Sequence, residues 1–146
     1  NMLLQAGISD PVTTLTQVVT ADLDGDGTDE VLLSSGNATD SQILPWKKGD
    51  NSIVVFHRMS GGQSVDQIVD SYIFTEDPEG FPENCKYPED YETRIWLYIK
   101  NCVDLDGDGC LEVVIEETDG ISAVTDSVYK LIDGRLVLVG SNGIGW

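Results

Sequence analysis

DLDGDGTDE, at residues 22–30, has a near copy in DLDGDGCLE, at residues 104–112. Both stretches place carboxylates at positions 1, 3, 5 and 9, and these residues are Asp22, Asp24, Asp26 and Glu30 in the first copy and Asp104, Asp106, Asp108 and Glu112 in the second. Carboxylates this close repel one another unless a cation lies between them. Calcium is the expected cation, because it is a hard ion that binds through oxygen ligands. The intervening glycines let the backbone turn tightly around an ion, so we expect two calcium ions, one in each loop.

The seventh position of each loop is expected to contribute its main-chain carbonyl, as it does in other calcium loops. These residues are Thr28 and Cys110. Two alternatives stay open. One acidic, glycine-rich turn can be a solvated loop without an ion, although the repeated carboxylate spacing argues against this for both copies. Magnesium is the less suited ion, because it binds through fewer carboxylates and keeps its waters.

The residues that flank the loops indicate which kind of calcium site this is. An EF-hand loop has a bidentate Glu at position 12 and helices on both sides, whereas this chain has Leu33 and Ile115 at that position. Dockerin modules also duplicate a DxDGDG loop, but they need an acidic twelfth ligand and a following helix. Here, β-branched runs typical of strands precede and follow each loop. Each unit is therefore predicted to be strand, calcium loop, strand.

This unit resembles the FG-GAP and VCBS-type repeats of extracellular proteins, including the calcium-binding blades of integrin-like β-propellers. The resemblance covers residues 18–33 and 96–115, and it implies that the eight carboxylates named above are the side-chain ligands. The sequence departs from the family in two ways. The ninth loop position is Glu where the family usually has Asp, and the Phe-Gly and Gly-Ala-Pro segments of the FG-GAP repeat are absent. The resemblance therefore implies the ion site more directly than a whole blade.

Further strands are predicted outside the two loop units. Residues 12–21 are rich in Thr and Val and are predicted to form a strand, with a helix beginning at Asp10 as the alternative. Two hairpins are also expected. One joins residues 41–47 to 52–58, and the other turns at Asp133-Gly134.

The expected fold is mainly β, because each half of the chain contains a strand, a loop, a strand and a hairpin. We expect one domain, residues 1–146, made of two four-stranded antiparallel repeats at about 12–60 and 91–140. Two such units cannot close a propeller, which needs at least about four blades. The repeats are therefore expected to form propeller-blade-like or sandwich-like sheets. Three possibilities stay open: the sheets pack face to face, the chain is a fragment of a larger protein, or the insertion covers the open edges.

An irregular insertion, residues 61–90, is expected to join the repeats. Within it, residues 64–73 carry apolar side chains at helical spacing, which predicts one short helix, although their β-branched content favours a strand. Residues 91–103 alternate more clearly than any other segment and predict a strand. Both faces of that strand carry large side chains, so we expect it in the centre of a sheet.

The charge of the chain excludes some partners. Its 146 residues contain 8 Lys and Arg against 26 Asp and Glu, a formal net charge of −18. Such a chain repels nucleic acid and anionic membrane surfaces, and no apolar run is long enough to span a membrane. No signal peptide is visible. A secreted or cell-surface location is expected because calcium loops of extracellular modules are weak and fill only at millimolar calcium.

Three cysteines, Cys85, Cys102 and Cys110, leave their pairing open. A disulfide between Cys102 and Cys110 would brace the second loop, and one between Cys85 and Cys102 is equally allowed. Three buried thiols that act as small hydrophobic groups are the third possibility.

Binding, rather than catalysis, is the expected activity. The chain has one histidine, His57, in a predicted strand, and it lacks the GxSxG and HExxH patterns. The adjacent pair Glu116 and Glu117 would point to opposite faces of a strand, which does not suit glycosidase chemistry. A set of aromatic residues could form a platform for a sugar or a protein: Trp46, Phe81, Tyr87, Tyr91, Trp96, Tyr98 and Trp146.

We expect an extracellular calcium-binding module with structural calcium, which mediates glycan or protein binding in adhesion. The long loop at residues 75–90 is the expected recognition segment, because compact domains place binding residues on such loops. The alternative is a non-catalytic accessory domain, or a fragment, of a secreted enzyme such as a glycoside hydrolase.

Overall fold

The structure, a computed structural model, describes residues 4, 13–37, 48–75, 95–119 and 123–145. Eight strands lie within these ranges: β1 Thr14–Ala21, β2 Glu30–Gly36, β3 Asn51–Ser60, β4 Gln63–Ile73, β5 Trp96–Val103, β6 Glu112–Thr118, β7 Ala123–Ile132 and β8 Arg135–Gly145. They form two four-stranded sheets, ordered β1-β2-β3-β4 and β5-β6-β7-β8, in which every pairing is antiparallel. The prediction of a mainly β fold with two four-stranded antiparallel repeats is confirmed. Within the described ranges, no helix has the length and hydropathy that a membrane span requires.

The same order of connections builds both sheets. The acidic loops join β1 to β2 and β5 to β6. Two-residue turns close the hairpins of β3 with β4 and of β7 with β8. Gly61 and Gly62 have φ of 58° and 80° in the first turn, and Asp133 and Gly134 have φ of 50° and 79° in the second. Positive φ at both central residues matches the twist of the flanking strands, so the Asp-Gly turn signal was a sound predictor.

The predicted helix at residues 64–73 is wrong, because these residues belong to β4. The register with β3 passes from Asp70 directly to Ile68, so Val69 is an extra residue in a β-bulge. A bulge shifts the alternation of a strand by one position. The partly buried apolar side chains therefore fall at Val65, Val69, Tyr72 and Ile73, a spacing that imitates a helix.

The first sheet also takes in residues that the sequence assigned to the insertion. β3 pairs with β2 on one side and with β4 on the other. The expected pairing of residues 52–58 with 41–47 is therefore wrong, and residues 41–47 themselves lie outside the described ranges, as do residues 76–94. The first repeat extends to Ile73 rather than ending near residue 60.

One hydrophobic core is shared by the two sheets. Its buried members come from the first loop, β2, β3, β5, β6, β7 and β8, and they are Leu23, Leu32, Val54, Phe56, Leu97, Ile99, Val113, Ile115, Tyr129 and Leu136. Phe56 is the largest of the fully buried side chains. Since both repeats contribute, neither sheet would keep this core without the other.

Strand β5 is an edge strand of its sheet, so the expectation of a central position was wrong. Its outward backbone groups are instead covered by polar side chains of the first sheet. Ser52 Oγ accepts a hydrogen bond from Leu97 N at 2.9 Å, and Ser34 Oγ donates to Leu97 O at 2.8 Å. Gln17 accepts from Ile99 N at 2.8 Å and donates to Ile99 O at 3.0 Å. These bonds satisfy an edge that would otherwise be a template for pairing with another chain.

Replacing Gln17 with alanine is expected to lower the free energy of unfolding by about 1–3 kcal/mol, because it leaves the buried backbone N–H and C=O of Ile99 without partners. Gln67→Ala should have a similar effect, since Gln67 makes the same pair of bonds to the backbone of Leu136, at 2.7 and 2.9 Å. Urea unfolding of the variants measures both losses. Gln63→Ala, at an exposed position of β4, is the control. If the Gln17 variant lost no more than the control, these backbone groups would be hydrated in solution.

Candidate metal centre

The first acidic loop closes around the carboxylate of Asp22. Asp22 Oδ1 accepts a hydrogen bond from Asp26 N at 3.0 Å, and Asp22 Oδ2 accepts one from Gly27 N at 2.9 Å. Asp26 Oδ1 in turn accepts from Thr28 N at 2.7 Å. Gly27 has φ of 87°, a conformation that favours glycine. The carboxylates of this loop therefore organise its backbone.

The second loop repeats this pattern. Asp104 accepts hydrogen bonds from Gly107 N at 2.6 Å and from Gly109 N at 3.1 Å. Asp108 Oδ1 accepts from Cys110 N at 2.9 Å, as Asp26 does from Thr28. The similar sequences therefore fold into similar loops, which the carboxylate spacing predicted.

The glutamates at the ninth position lie at the first residue of β2 and of β6. Glu30 and Glu112 are each 3% exposed. Glu30 Oε2 accepts a hydrogen bond from Leu23 N at 3.0 Å, and Glu112 Oε2 accepts one from Leu105 N at 2.8 Å. Each glutamate thus ties the start of its loop to the strand that follows. Burial raises the pKa of Glu30, and the negative charge of Asp24 adds to this effect, so a cation here would stabilise its ionised form.

Three carboxylates come together in each loop. Asp22, Asp24 and Glu30 each offer an oxygen, and the three oxygens lie within 4.8 Å of one another. Asp104, Asp106 and Asp108 form the corresponding group in the second loop. Both groups consist of oxygen donors alone, which fits calcium.

The other predicted ligands are not members of these groups of three. Asp26 is exposed, and the buried Glu112 belongs to neither group of three. Thr28 and Cys110 direct their backbone N–H groups to carboxylates, as described above, and the ligand role of their carbonyls stays a prediction. The structure therefore gathers three of the four predicted carboxylates in each loop.

Two basic residues that the sequence analysis missed face the loops. Arg58 Nη1 lies 3.6 Å from Asp24 Oδ2 in the first loop. In the second loop, Lys130 Nζ lies 2.7 Å from both Asp106 Oδ2 and Asp108 Oδ2. Arg58 and Lys130 occupy matching positions, each two residues before the end of the third strand of its sheet. Alignment of the β3–β4 hairpin with the β7–β8 hairpin would have revealed a basic residue at the same position in both.

The two loops lie side by side. Leu111 N donates a hydrogen bond to Leu23 O at 2.9 Å, and Cys110 Sγ lies 3.8 Å from Asp24 O. A Cβ atom placed on Gly25 would lie 3.6 Å from Gly109 O. The two groups of carboxylates therefore share one end of the molecule, where the first sheet meets the second.

The structure also bears on the disulfides considered in the sequence analysis and on the adjacent glutamates of β6. Cys102 and Cys110 are free thiols, so the disulfide considered between them does not form. Cys85 lies outside the described ranges. Glu116 pairs with Lys100 at 2.9 Å, whereas Glu117 accepts a hydrogen bond from Tyr72 at 2.6 Å.

Histidine and the aromatic residues add little to this centre. His57 Nδ1 lies 2.6 Å from Asp66 Oδ1, its cross-strand partner on β4. Of the seven aromatic candidates, the described ranges contain Trp96, which is half-buried, and Tyr98, which is 40% exposed. Apart from Thr75, the expected recognition segment at 75–90 lies outside those ranges.

Comparison of the chain with known protein families, curated proteins and solved structures returns no match. The resemblance to FG-GAP and VCBS-type repeats therefore stays a prediction from the two loops.

Proposed function

We propose that this protein is a calcium-binding module in which the ions hold together the end of the molecule where the two sheets meet. The observation that carries the proposal is the pair of carboxylate groups on adjacent loops, each with three oxygens within 4.8 Å. Oxygen-rich groups of this kind suit calcium, which accepts flexible geometry and several carboxylates. Because Leu111 of one loop is hydrogen-bonded to Leu23 of the other, an ion that orders either loop also orders the contact between them.

The setting of the module follows from the same chemistry. Loops of this type fill at millimolar calcium, which favours a secreted or cell-surface protein. We propose that calcium is structural there and that the module binds a glycan or a protein partner, as in adhesion. Tyr98, exposed on β5, is the aromatic residue in the described ranges that such a ligand could reach. The proposal assigns no catalytic residue.

Calcium titration by isothermal calorimetry tests the proposal, and Asp24→Asn is the informative variant. Asp24 belongs to the first carboxylate group, so its loss should weaken binding at that loop by roughly tenfold or more, since affinity follows the number of charged ligands. Asp29→Asn is the matched control. It removes the same charge from the same loop, but Asp29 belongs to neither group. Equal weakening in both variants would indicate general charge attraction, and no binding at millimolar calcium would overturn the proposal.

A further inference from the structure

The second loop already holds a positive charge from its own sheet. Lys130 extends from β7 into the loop, with Nζ 2.7 Å from Asp106 and from Asp108 and 3.1 Å from Glu112 Oε1. Its side chain is only 21% exposed. An ammonium group that bonds two carboxylates of a cation-binding group stands where a metal ion would neutralise the same charges.

Glu112 is the third carboxylate that faces this ammonium group. Its side chain is 4% exposed, and its Oε2 accepts a hydrogen bond from Leu105 N. Among the described residues, the buried Oε1 has Lys130 Nζ, at 3.1 Å, as its charged partner. A buried carboxylate needs such a partner. The ammonium therefore neutralises all three carboxylates, Glu112 less closely than Asp106 and Asp108, and a calcium ion at this loop would have to replace it at each of them.

Within the part of the chain that the structure describes, no charge is inserted into the first loop in the same way. Arg58 lies at the matching position of β3, and its Nη1 is 3.6 Å from Asp24 Oδ2. Within the described ranges, Asp24 is the loop carboxylate with which Arg58 forms an ion pair. A guanidinium at that distance pairs with one acid rather than three. The two loops thus share a sequence pattern but differ in the cation that faces them.

We propose that Lys130 is a built-in competitor of calcium at residues 104–112, so that the loop at residues 22–30 binds calcium first. The second loop then binds only when the ammonium is displaced. Lysine suits this role because its flexible stem can carry the amine into water. The proposal rests on the proposed function. It implies that two loops of similar sequence differ in their affinity for calcium, which is higher at residues 22–30 than at residues 104–112.

The experiment is a calorimetric titration of the full chain with calcium alone. Every variant also carries Asp24→Asn, which weakens the first loop, so the heat reports the second. Lys130→Met removes the charge and keeps the length of the side chain, and Lys130→Gln is a second neutral variant. Lys130→Arg is the control that keeps the charge. Circular dichroism and thermal unfolding in EDTA establish that each variant is folded.

Both neutral variants should bind calcium at the second loop roughly tenfold more tightly than the parent, because the competing charge-assisted bonds are gone. The arginine variant keeps the competing charge, so it should not bind calcium more tightly than the chain that carries Asp24→Asn alone. Unchanged or weaker binding in the neutral variants would overturn the competition while leaving the calcium module intact. Absence of calcium binding in the wild-type chain and in all variants would remove both proposals together.

Discussion

Replacing Leu23 with alanine is expected to lower the free energy of unfolding by about 2–5 kcal/mol, the usual cost of a cavity in a packed core. The size of this effect is unexpected for the second residue of an acidic loop. Leu23 is 0% exposed and belongs to the core that the two sheets share. Its backbone is also held on both sides, since its N–H donates to Glu30 and its C=O accepts from Leu111. The side chain therefore fixes the first loop to the core, and its loss should loosen both.

Leu105→Ala is the matched control for this prediction. Leu105 is the second residue of the other loop and donates the corresponding hydrogen bond to Glu112, but its side chain is 56% exposed. Its replacement should change the free energy of unfolding by no more than about 0.5 kcal/mol. Urea unfolding in EDTA compares the two without contributions from calcium. Similar losses in both variants would contradict the unequal burial of the two leucines.

Leu23 and Leu105 also show what the sequence could not predict. They occupy the same position of the same DLDGDG pattern, so no local signal separates the buried leucine from the exposed one. The difference arises from the way the sheets pack, because both loops lie at one end of the molecule but meet the shared core through different residues: the first loop through Leu23 and the second through Leu111. The loops and their carboxylates were predictable from spacing, whereas their unequal surroundings depend on residues distant in the chain.

The strands show the same division between local and distant information. The Asp133-Gly134 turn and the runs around the loops were recognised from local chemistry. The helix predicted at 64–73 failed because the bulge at Val69 changes the alternation, and a bulge depends on the partner strand. The edge position of β5 was missed because large side chains on both faces do not reveal which backbone edge is paired. Lys130 was missed for a similar reason, since it reaches the second loop from β7.

Transfer from EDTA to calcium at 100-fold above the dissociation constant is expected to raise the free energy of unfolding by about 2.7 kcal/mol for each filled site. The sign follows from linkage, because a loop brought together by folding binds the ion better than the unfolded chain does. For a domain of this size, each kcal/mol corresponds to about 2–4 °C in Tm. Magnesium at the same concentration is the control for screening, since any divalent salt weakens repulsion in a chain of formal net charge −18.

Calcium should therefore raise the free energy of unfolding well above the rise that magnesium produces. In the Asp24→Asn variant, most of the increase that calcium binding at the first loop provides should be lost. The comparison also bears on Lys130. If its ammonium competes at the second loop, the wild-type Tm should rise first by the contribution of one site, and the second contribution should need more calcium. An equal rise with both ions would indicate screening in place of coordination. No rise with either would mean that the two loops are turns held by their own hydrogen bonds, with Lys130 neutralising the second.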